Sequence, residues 1–155
     1  MNRAFVIHTG GQHVGTAERS GTASTDFASA SPAEVHDVLA PDGSEIRLLP
    51  QVPGGSMVHC TLPPGGVSLA VTHRTVDELW YVLSGAGELW RRQGQREEVA
   101  ALMPGTAHSI RLGTHFQFRT IGDEPLRFVI VTTPPWPGMD EAVRVPDHWS
   151  PRSTE

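Results

Sequence analysis

Two histidines in the second half of the sequence could bind a metal ion. His108 follows a Pro-Gly pair in "MPGTAHSIRLGTHFQFRT" (residues 103–120), and His115 follows a Gly-Thr pair in the same stretch. Imidazole nitrogens are common ligands of transition metals. Because successive residues of a strand face opposite sides, the register of the surrounding strands decides which histidine faces a reaction centre.

Short strands separated by turns account for most of the chain after residue 44. The 16 Gly and 13 Pro residues are spread along the sequence, as expected for tight turns between short strands. Eight or nine strands with almost no helix predict an all-β antiparallel barrel or jelly roll. The stretches read as strands are 45–49, 56–62, 67–73, 77–83, 88–92, 97–103, 106–112, 115–120 and 126–132.

An N-terminal extension precedes these strands over residues 1–44. Small and polar residues predict a flexible lead-in, and "FVIH" (Phe5–His8) predicts a short edge strand. Ser31 as N-cap, Pro32 at the first helical position and Glu34 three residues after the cap predict one or two helical turns.

The central barrel is expected to span residues 45–133 and to be followed by a Pro-rich tail, residues 134–155. Its prolines predict an extended backbone. The stretch "PPWPG" (residues 134–138) could cover the mouth of the barrel, clamp a partner subunit or pack on its own surface.

Composition and charge exclude several classes of protein. The net charge is −5 without a basic cluster, which argues against nucleic-acid or anionic-membrane binding. Cys60 is the single cysteine, so a disulfide framework is excluded and a reduced, cytoplasmic location is expected. The apolar stretch near the N-terminus is too short for a signal peptide, and no run is long enough to span a bilayer.

The stretch "GGVSLAVTHRTVDELWYVLSG" (residues 65–85) has a spacing of glycines, His and Glu that resembles the first motif of the cupin superfamily. That motif reads Gly, five residues, His-x-His, four residues, Glu, six residues, Gly. Val71 stands in place of its first His. The resemblance covers about residues 45–133 and implies a cupin double-stranded β-helix, a jelly-roll barrel, and a homodimer. The matching positions are Gly65, His73, Glu78 and Gly85.

The second cupin motif reads Gly, five residues, Pro-x-Gly, two residues, His, three residues, Asn. Placing it on "PGTAH" would make His108 a ligand but leaves no role for "LGTHFQFR". A start at Gly105, with five residues between it and Arg111, fits better and puts Phe116 at the fourth ligand position, with His115 one residue out of phase. In this register the motif falls on Gly105, Arg111 (for Pro), Gly113, Phe116 (for His) and Thr120 (for Asn).

Metal-binding cupins use four ligands from these two motifs, and the resemblance leaves only His73 and Glu78. A tight transition-metal site needs at least three protein ligands, so the sequence favours a protein without a cofactor. The alternative is an oxygenase-like cupin with one divalent transition metal (Fe, Mn, Ni or Zn). In that case His73 and Glu78 would be joined by His108, His115 or His59.

Without a metal, His73 and Glu78 suit acid–base catalysis in an apolar barrel. Burial raises the pKa of a glutamate, and a nearby carboxylate is expected to raise the pKa of the histidine. Such a pair can donate and accept protons near neutral pH. The resemblance then implies an isomerase, epimerase, cyclase or dehydratase acting on a small organic molecule.

Further residues are expected to form the substrate pocket around this pair. Strand parity predicts that four further side chains face inward like His73 and Glu78. They would form an apolar pocket suited to a ring or a polyketide-like skeleton. Three other residues could reach the pocket or its rim. A small-molecule-binding cupin without catalytic activity is the remaining alternative. The expected pocket residues are Val71, Trp80, Phe116 and Phe118, together with His59, His108 and Arg111.

Overall fold

The computed structural model describes residues 6–7 and 26–153. These residues form short strands and one turn of 3₁₀ helix, with no α-helix among them. The strands are β1 (Val6–Ile7), β2 (Ala28–Ser29), β3 (Val38–Leu39), β4 (Glu45–Val52), β5 (Gly55–Leu62), β6 (Val71–His73), β7 (Asp77–Ser84), β8 (Ala86–Gln93), β9 (Arg96–Leu102), β10 (Ala107–Ile110), β11 (His115–Ile121), β12 (Leu126–Thr133) and β13 (Ala142–Arg144).

Two antiparallel sheets enclose the core. The larger sheet has the order β10-β7-β12-β5-β4-β3, and the smaller has the order β13-β6-β11-β8-β9. Their inner faces contribute one cluster of buried apolar side chains, to which Trp80 and Phe128 belong from one sheet and Leu89 and Phe118 from the other. The predicted all-β jelly roll is confirmed.

Strand β7 shows why a glutamate lies inside this barrel. Its residues alternate between buried and exposed from Glu78 to Leu83, as expected for a strand with one face against the core. Glu78 shares the inner face with Trp80 and Val82, whereas Leu79 points outward.

The turn after β7 depends on a glycine. Gly85 has a φ of 79°, a conformation that residues with a Cβ rarely adopt. A Cβ at Gly85 would also overlap the carbonyl oxygen of Pro125. The last glycine of the first motif thus fixes the hairpin that ends the strand carrying Glu78.

The N-terminal extension contains a strand where a helix was predicted. The expectation of helical turns after Ser31 is wrong, because Val38–Leu39 form β3 and Val38 pairs with Ile46 of β4. Of the edge strand predicted at Phe5–His8, the central pair Val6–Ile7 forms β1 and pairs with β2. Phe5, His8 and the lead-in over residues 8–25 lie outside the described residues.

The C-terminal segment joins the smaller sheet. A 3₁₀ turn at Met139–Glu141 leads into β13, which pairs with β6 so that Ala142 stands opposite His73. The described part of the chain contains no helix with the length and hydropathy needed to cross a membrane.

A buried glutamine ties the end of the chain to the barrel. The side-chain amide of Gln117 donates to the carbonyl oxygens of Ser68 and Trp149, at 2.7 and 2.8 Å. Its oxygen accepts from the backbone N–H groups of His148 and Trp149, at 2.9 and 2.8 Å. Next to this contact, the rings of Trp90 and His148 stack with centroids 5.0 Å apart.

Candidate active site

A cavity of about 420 Å³ lies between the two sheets. Its size falls within the range of small-molecule pockets, and its wall is mainly apolar. The apolar lining includes Val38, Ile46, Leu48, Val58, Val71, Trp80, Ile130, Trp136 and Met139. The polar lining consists of Asp42, Ser44, Gln51, Ser56, His73, Glu78 and Thr132.

His73 and Glu78 meet in this cavity from different sheets. His73 is the last residue of β6 and Glu78 the second residue of β7. The Nδ1 atom of His73 lies 3.7 Å from Oε1 of Glu78 and has no hydrogen-bond partner in the described part of the chain. The other carboxyl oxygen of Glu78 accepts a 2.7 Å hydrogen bond from Nε1 of Trp80. The two side chains are 4% and 7% exposed, so water contributes little to their solvation.

Burial sets the protonation states of this pair. It raises the pKa of Glu78 to about 8, with a further contribution from the charge of Asp42 and an opposing one from the Trp80 hydrogen bond. Burial also lowers the pKa of His73 to about 4, against a smaller upward effect of Glu141. The expectation that a carboxylate would raise the pKa of this histidine is therefore wrong, since burial outweighs the nearby charge. Near neutral pH, Glu78 carries a proton and His73 is neutral.

Two aromatic rings hold the imidazole of His73 in place. Phe116 and Trp136 both meet it edge-on, with ring centroids 5.1 and 5.2 Å away. Trp136 belongs to the "PPWPG" stretch, and its backbone N–H donates to Oγ of Ser56 at 2.9 Å. The Pro-rich segment thus forms part of the cavity wall of its own chain.

Glu141 fixes the loop between the two central residues. Its Oε1 accepts hydrogen bonds from the backbone N–H groups of Thr75 and Val76, at 2.5 and 2.9 Å. Its Oε2 accepts from the hydroxyl of Thr75 at 2.9 Å. Because His73 precedes this loop and Glu78 follows it, these bonds help to set their separation.

Asp42 places a second carboxyl group in the cavity wall. Its Oδ1 accepts hydrogen bonds from the backbone N–H and the hydroxyl of Ser44, at 2.9 and 2.6 Å. Burial raises its pKa despite these bonds. Sequence reasoning missed Asp42, Trp136 and Glu141 because they lie outside the two motifs. The available signals were the "PDGS" turn, which contains Asp42, and the "PPWPG" stretch, which contains Trp136.

The four pocket residues expected from strand parity are all buried but take two different positions. Val71 and Trp80 line the cavity. Phe116 lies behind this wall, against His73 and 6.0 Å from the ring of Trp80. Phe118 packs deeper in the core, 5.1 Å from Trp80 and 5.5 Å from Phe128.

His59 and His108 do not line the cavity. His59 precedes Cys60 on β5 and therefore points to the opposite side of the sheet, where it is also buried. Desolvation and the charges of Arg47 and Arg127 lower its pKa. His108 stands opposite Trp80 across β10 and β7, and its Nε2 is 2.9 Å from the hydroxyl of Thr106.

Arg111 and His115 also lie away from the cavity. Arg111 is largely exposed and its guanidinium is 3.4 Å from a carboxyl oxygen of Asp77. His115 precedes the buried Phe116 and faces the other way, where its Nδ1 is 3.2 Å from Arg92.

The donors present do not fit a tight metal site. His73 and Glu78 are two ligands, and the apolar Val71 and Phe116 occupy the positions that would add two more. Within residues 26–153, no three His, Cys, Asp or Glu side chains are grouped closely enough to hold a metal ion. His108 and His115, the proposed additional ligands, are directed to Thr106 and Arg92 instead.

A second concave surface, here named the arginine groove, lies between the β8–β9 hairpin and the β10–β11 connection. Its volume is about 680 Å³ and its lining is mostly polar. Arg91 spans it, donating to Glu98 at 2.5 Å and to the carbonyl oxygen of Ser109 at 2.7 Å. The charged residues of the groove are Arg91, Arg92, Arg96, Arg111, Glu97 and Glu98.

The strand order and the enclosed cavity define a double-stranded β-helix. Residues 58–132 match the family described as cupin domain. This match confirms the predicted resemblance of the barrel to the cupin superfamily. No curated protein matches the sequence significantly.

Solved structures share this fold at low sequence identity. KdgF from Halomonas sp. is 22% identical with a TM-score of 0.52, covering 59% of this chain and 81% of that one. An uncharacterised protein with a double-stranded β-helix domain from Klebsiella pneumoniae is 19% identical with a TM-score of 0.55, covering 76% and 90%. Oxalate decarboxylase from Bacillus subtilis, which has Mn(II) centres, is 16% identical with a TM-score of 0.56, covering 66% and 28%.

Proposed function

We propose that the protein is a small-molecule enzyme of the isomerase, epimerase, cyclase or dehydratase type that works by acid–base chemistry without a bound metal. The observation that carries this proposal is the His73–Glu78 pair. A neutral imidazole and a protonated carboxyl group lie 3.7 Å apart in an apolar cavity. A proton acceptor and a proton donor are thus available side by side near neutral pH.

The common step of these reactions is a proton transfer at a carbon next to a carbonyl group. His73 accepts the proton from this carbon while Glu78 gives its own proton to the carbonyl oxygen, which forms an enol. The products of the step are the enol, a Glu78 carboxylate and a His73 imidazolium, so protons and charge balance. Reversal of the step returns a proton to carbon, and the low dielectric of the cavity strengthens both interactions.

Deuterium exchange tests this step without knowledge of the natural substrate. The protein is incubated in D₂O with α-tetralone and with cyclohexanone, and mass spectrometry follows deuterium entering next to the carbonyl. We expect protein-dependent exchange that His73→Ala abolishes and Arg92→Gln in the arginine groove leaves unchanged. Circular dichroism and thermal unfolding check that each variant is folded.

The proposal would be contradicted if the His73→Ala and Glu78→Gln variants are folded and still exchange at the full wild-type rate. Binding of these ketones without any exchange above the solvent rate would instead identify a binding protein without catalytic activity. That alternative has the support of the same apolar cavity.

A metal-dependent reaction is tested separately. Elemental analysis of protein purified without chelator would find about one metal per chain if a metal took part. We expect no stoichiometric metal and full exchange after dialysis against EDTA. Loss of exchange with EDTA and its recovery with Mn²⁺, Fe²⁺, Ni²⁺ or Zn²⁺ would overturn the metal-free proposal.

A further inference from the structure

Among the residues that the structure describes, carboxyl groups line the cavity but no basic side chain that is charged at neutral pH does. The sequence has 12 arginines and no lysine, and none of the arginines within residues 26–153 lines the cavity. Its ionisable residues are Asp42, Glu78 and His73. Its remaining polar atoms belong to hydroxyl and amide groups, which form hydrogen bonds without supplying a positive charge.

Two arginines of the cavity-forming strands are bonded elsewhere. Arg47 of β4 donates to the carbonyl oxygens of Ala33 and Glu34, at 2.6 and 3.1 Å. Arg144 of β13 binds the carboxylate of Asp147 at 3.0 Å. Neither lines the cavity.

We infer that the substrate is uncharged: a mainly hydrocarbon ring compound with a carbonyl or hydroxyl group for Glu78, and without a carboxylate or phosphate. This inference rests on the proposed function, because it places the reacting oxygen at Glu78. An anion entering the cavity would lose its hydration without gaining a cationic partner. It would also approach the carboxyl groups of Asp42 and Glu78, which repel it when ionised.

An ammonium group is disfavoured for a different reason. At Glu78 it would gain an anionic partner only if that carboxyl group gave up its proton. Ionised Glu78 could no longer donate a proton to the substrate. The cavity therefore suits neutral molecules better than either kind of ion.

Binding of three ligands of similar size tests this selectivity directly. Acetophenone, benzoate and benzylamine are titrated at pH 7 with ligand-observed NMR. We expect the Kd of acetophenone to be at least tenfold lower than those of the two ions. Benzoate or benzylammonium binding as tightly as acetophenone, or no binding of acetophenone at millimolar concentration, would overturn the inference.

A cation placed at the cavity should reverse the selectivity. Leu48 lines the cavity yet is 56% exposed, so Leu48→Arg can be accommodated at its opening. We expect this variant to bind benzoate at least fivefold more tightly than the wild type does. Leu79→Arg is the matched control, because Leu79 is 58% exposed but outside the cavity lining. Equal gains in the two variants would contradict a charge effect within the cavity.

The binding and exchange experiments fail independently. Selectivity for acetophenone together with absent exchange would overturn the proposed catalysis and leave the inferred ligand class standing. Preference for benzoate together with intact exchange of neutral ketones would overturn the ligand class alone.

Discussion

The cavity and the arginine groove are both concave, but their ionisable side chains differ in their exposure to water. In the cavity, His73 and Glu78 are almost fully buried among apolar side chains. In the groove, Arg91 pairs with a glutamate, Glu98, whose side chain is 63% exposed. Water solvates this pair and screens it, so such pairs contribute about 0–1 kcal/mol.

The difference shows that the burial of His73 and Glu78 makes them suitable for catalysis. The number of charged side chains in a concave surface matters less. The groove contains four arginines and two glutamates, but four of these six side chains are exposed to water. In the cavity, desolvation moves the pKa of Glu78 up and that of His73 down. Their ordinary order is reversed, and the acid keeps its proton while the base stays neutral.

The largest expected effect is on the exchange reaction. Glu78→Gln keeps the shape of the side chain but removes its transferable proton, so exchange should fall by about 10²- to 10⁴-fold. Glu98→Gln makes the same chemical change in the groove, where we expect a rate within about twofold of the wild type. Similar losses in both variants would remove the functional distinction between the two regions.

The next largest effect concerns stability. Trp80 is fully buried against Phe118 and Phe128, so Trp80→Ala should lower the free energy of unfolding by about 3–5 kcal/mol. Arg96→Ala in the groove should change it by less than about 0.5 kcal/mol. Urea denaturation at pH 6 measures both values. A cost below 1 kcal/mol for Trp80→Ala would show that the core is not packed as described.

The pH dependence of stability sharpens the comparison. The folded pKa of Glu78, about 8, exceeds its ordinary value of 4.5, so unfolding releases a proton between these pH values. The wild type therefore loses stability as the pH rises from 4.5 to 8, at up to about 1.4 kcal/mol per unit. Glu78→Gln has no such proton to release, so by pH 8 its free energy of unfolding should have risen by a few kcal/mol relative to that of the wild type.

Urea denaturation of both proteins from pH 5 to pH 8 measures this difference. Glu98→Gln serves as the control, and its free energy of unfolding should change with pH in the same way as that of the wild type. Below pH 6.5 the depressed pKa of His73 destabilises the wild type and Glu78→Gln alike, because unfolding then takes up a proton. A constant difference between Glu78→Gln and the wild type would contradict a raised pKa for Glu78.

A smaller effect is expected at the loop behind the pair. Glu141→Gln leaves a side chain that accepts at one oxygen only, in place of a carboxylate with three hydrogen bonds to Thr75 and Val76. We expect a loss of about 1–3 kcal/mol in the free energy of unfolding, and a further decrease in the pKa of His73. NMR titration of the His73 ring would show this decrease, which loss of stability alone would not produce.

The strands could be predicted from the sequence because their local pattern and their tertiary environment agree. In β7 the run of β-favouring residues and the glycine after it predict a strand over 77–83, and the structure shows Asp77–Ser84. The helix expected after Ser31 failed because its capping pattern is a local signal. The pairing of Val38 with Ile46 outweighs it, as tertiary contacts commonly outweigh intrinsic propensity.

The site could be predicted only in part. Motif spacing singled out His73 and Glu78, which the structure places 3.7 Å apart. Strand parity states which face a side chain takes, but not how far along the barrel it lies; Phe118 is turned inward and still lies behind Trp80. Asp42 and Trp136 reach the cavity from segments outside the motifs, and no local pattern determines where such segments pack.

The amide of Gln117 makes the end of the chain part of the folded unit. Its four hydrogen bonds include three to His148 and Trp149. Removal of the residues from 146 onward would take away three of these four hydrogen bonds and leave the carbonyl of Ser68 as the remaining protein partner of the amide. Shortened versions made for crystallisation should therefore keep residues up to at least 149, and a purification tag belongs after that point.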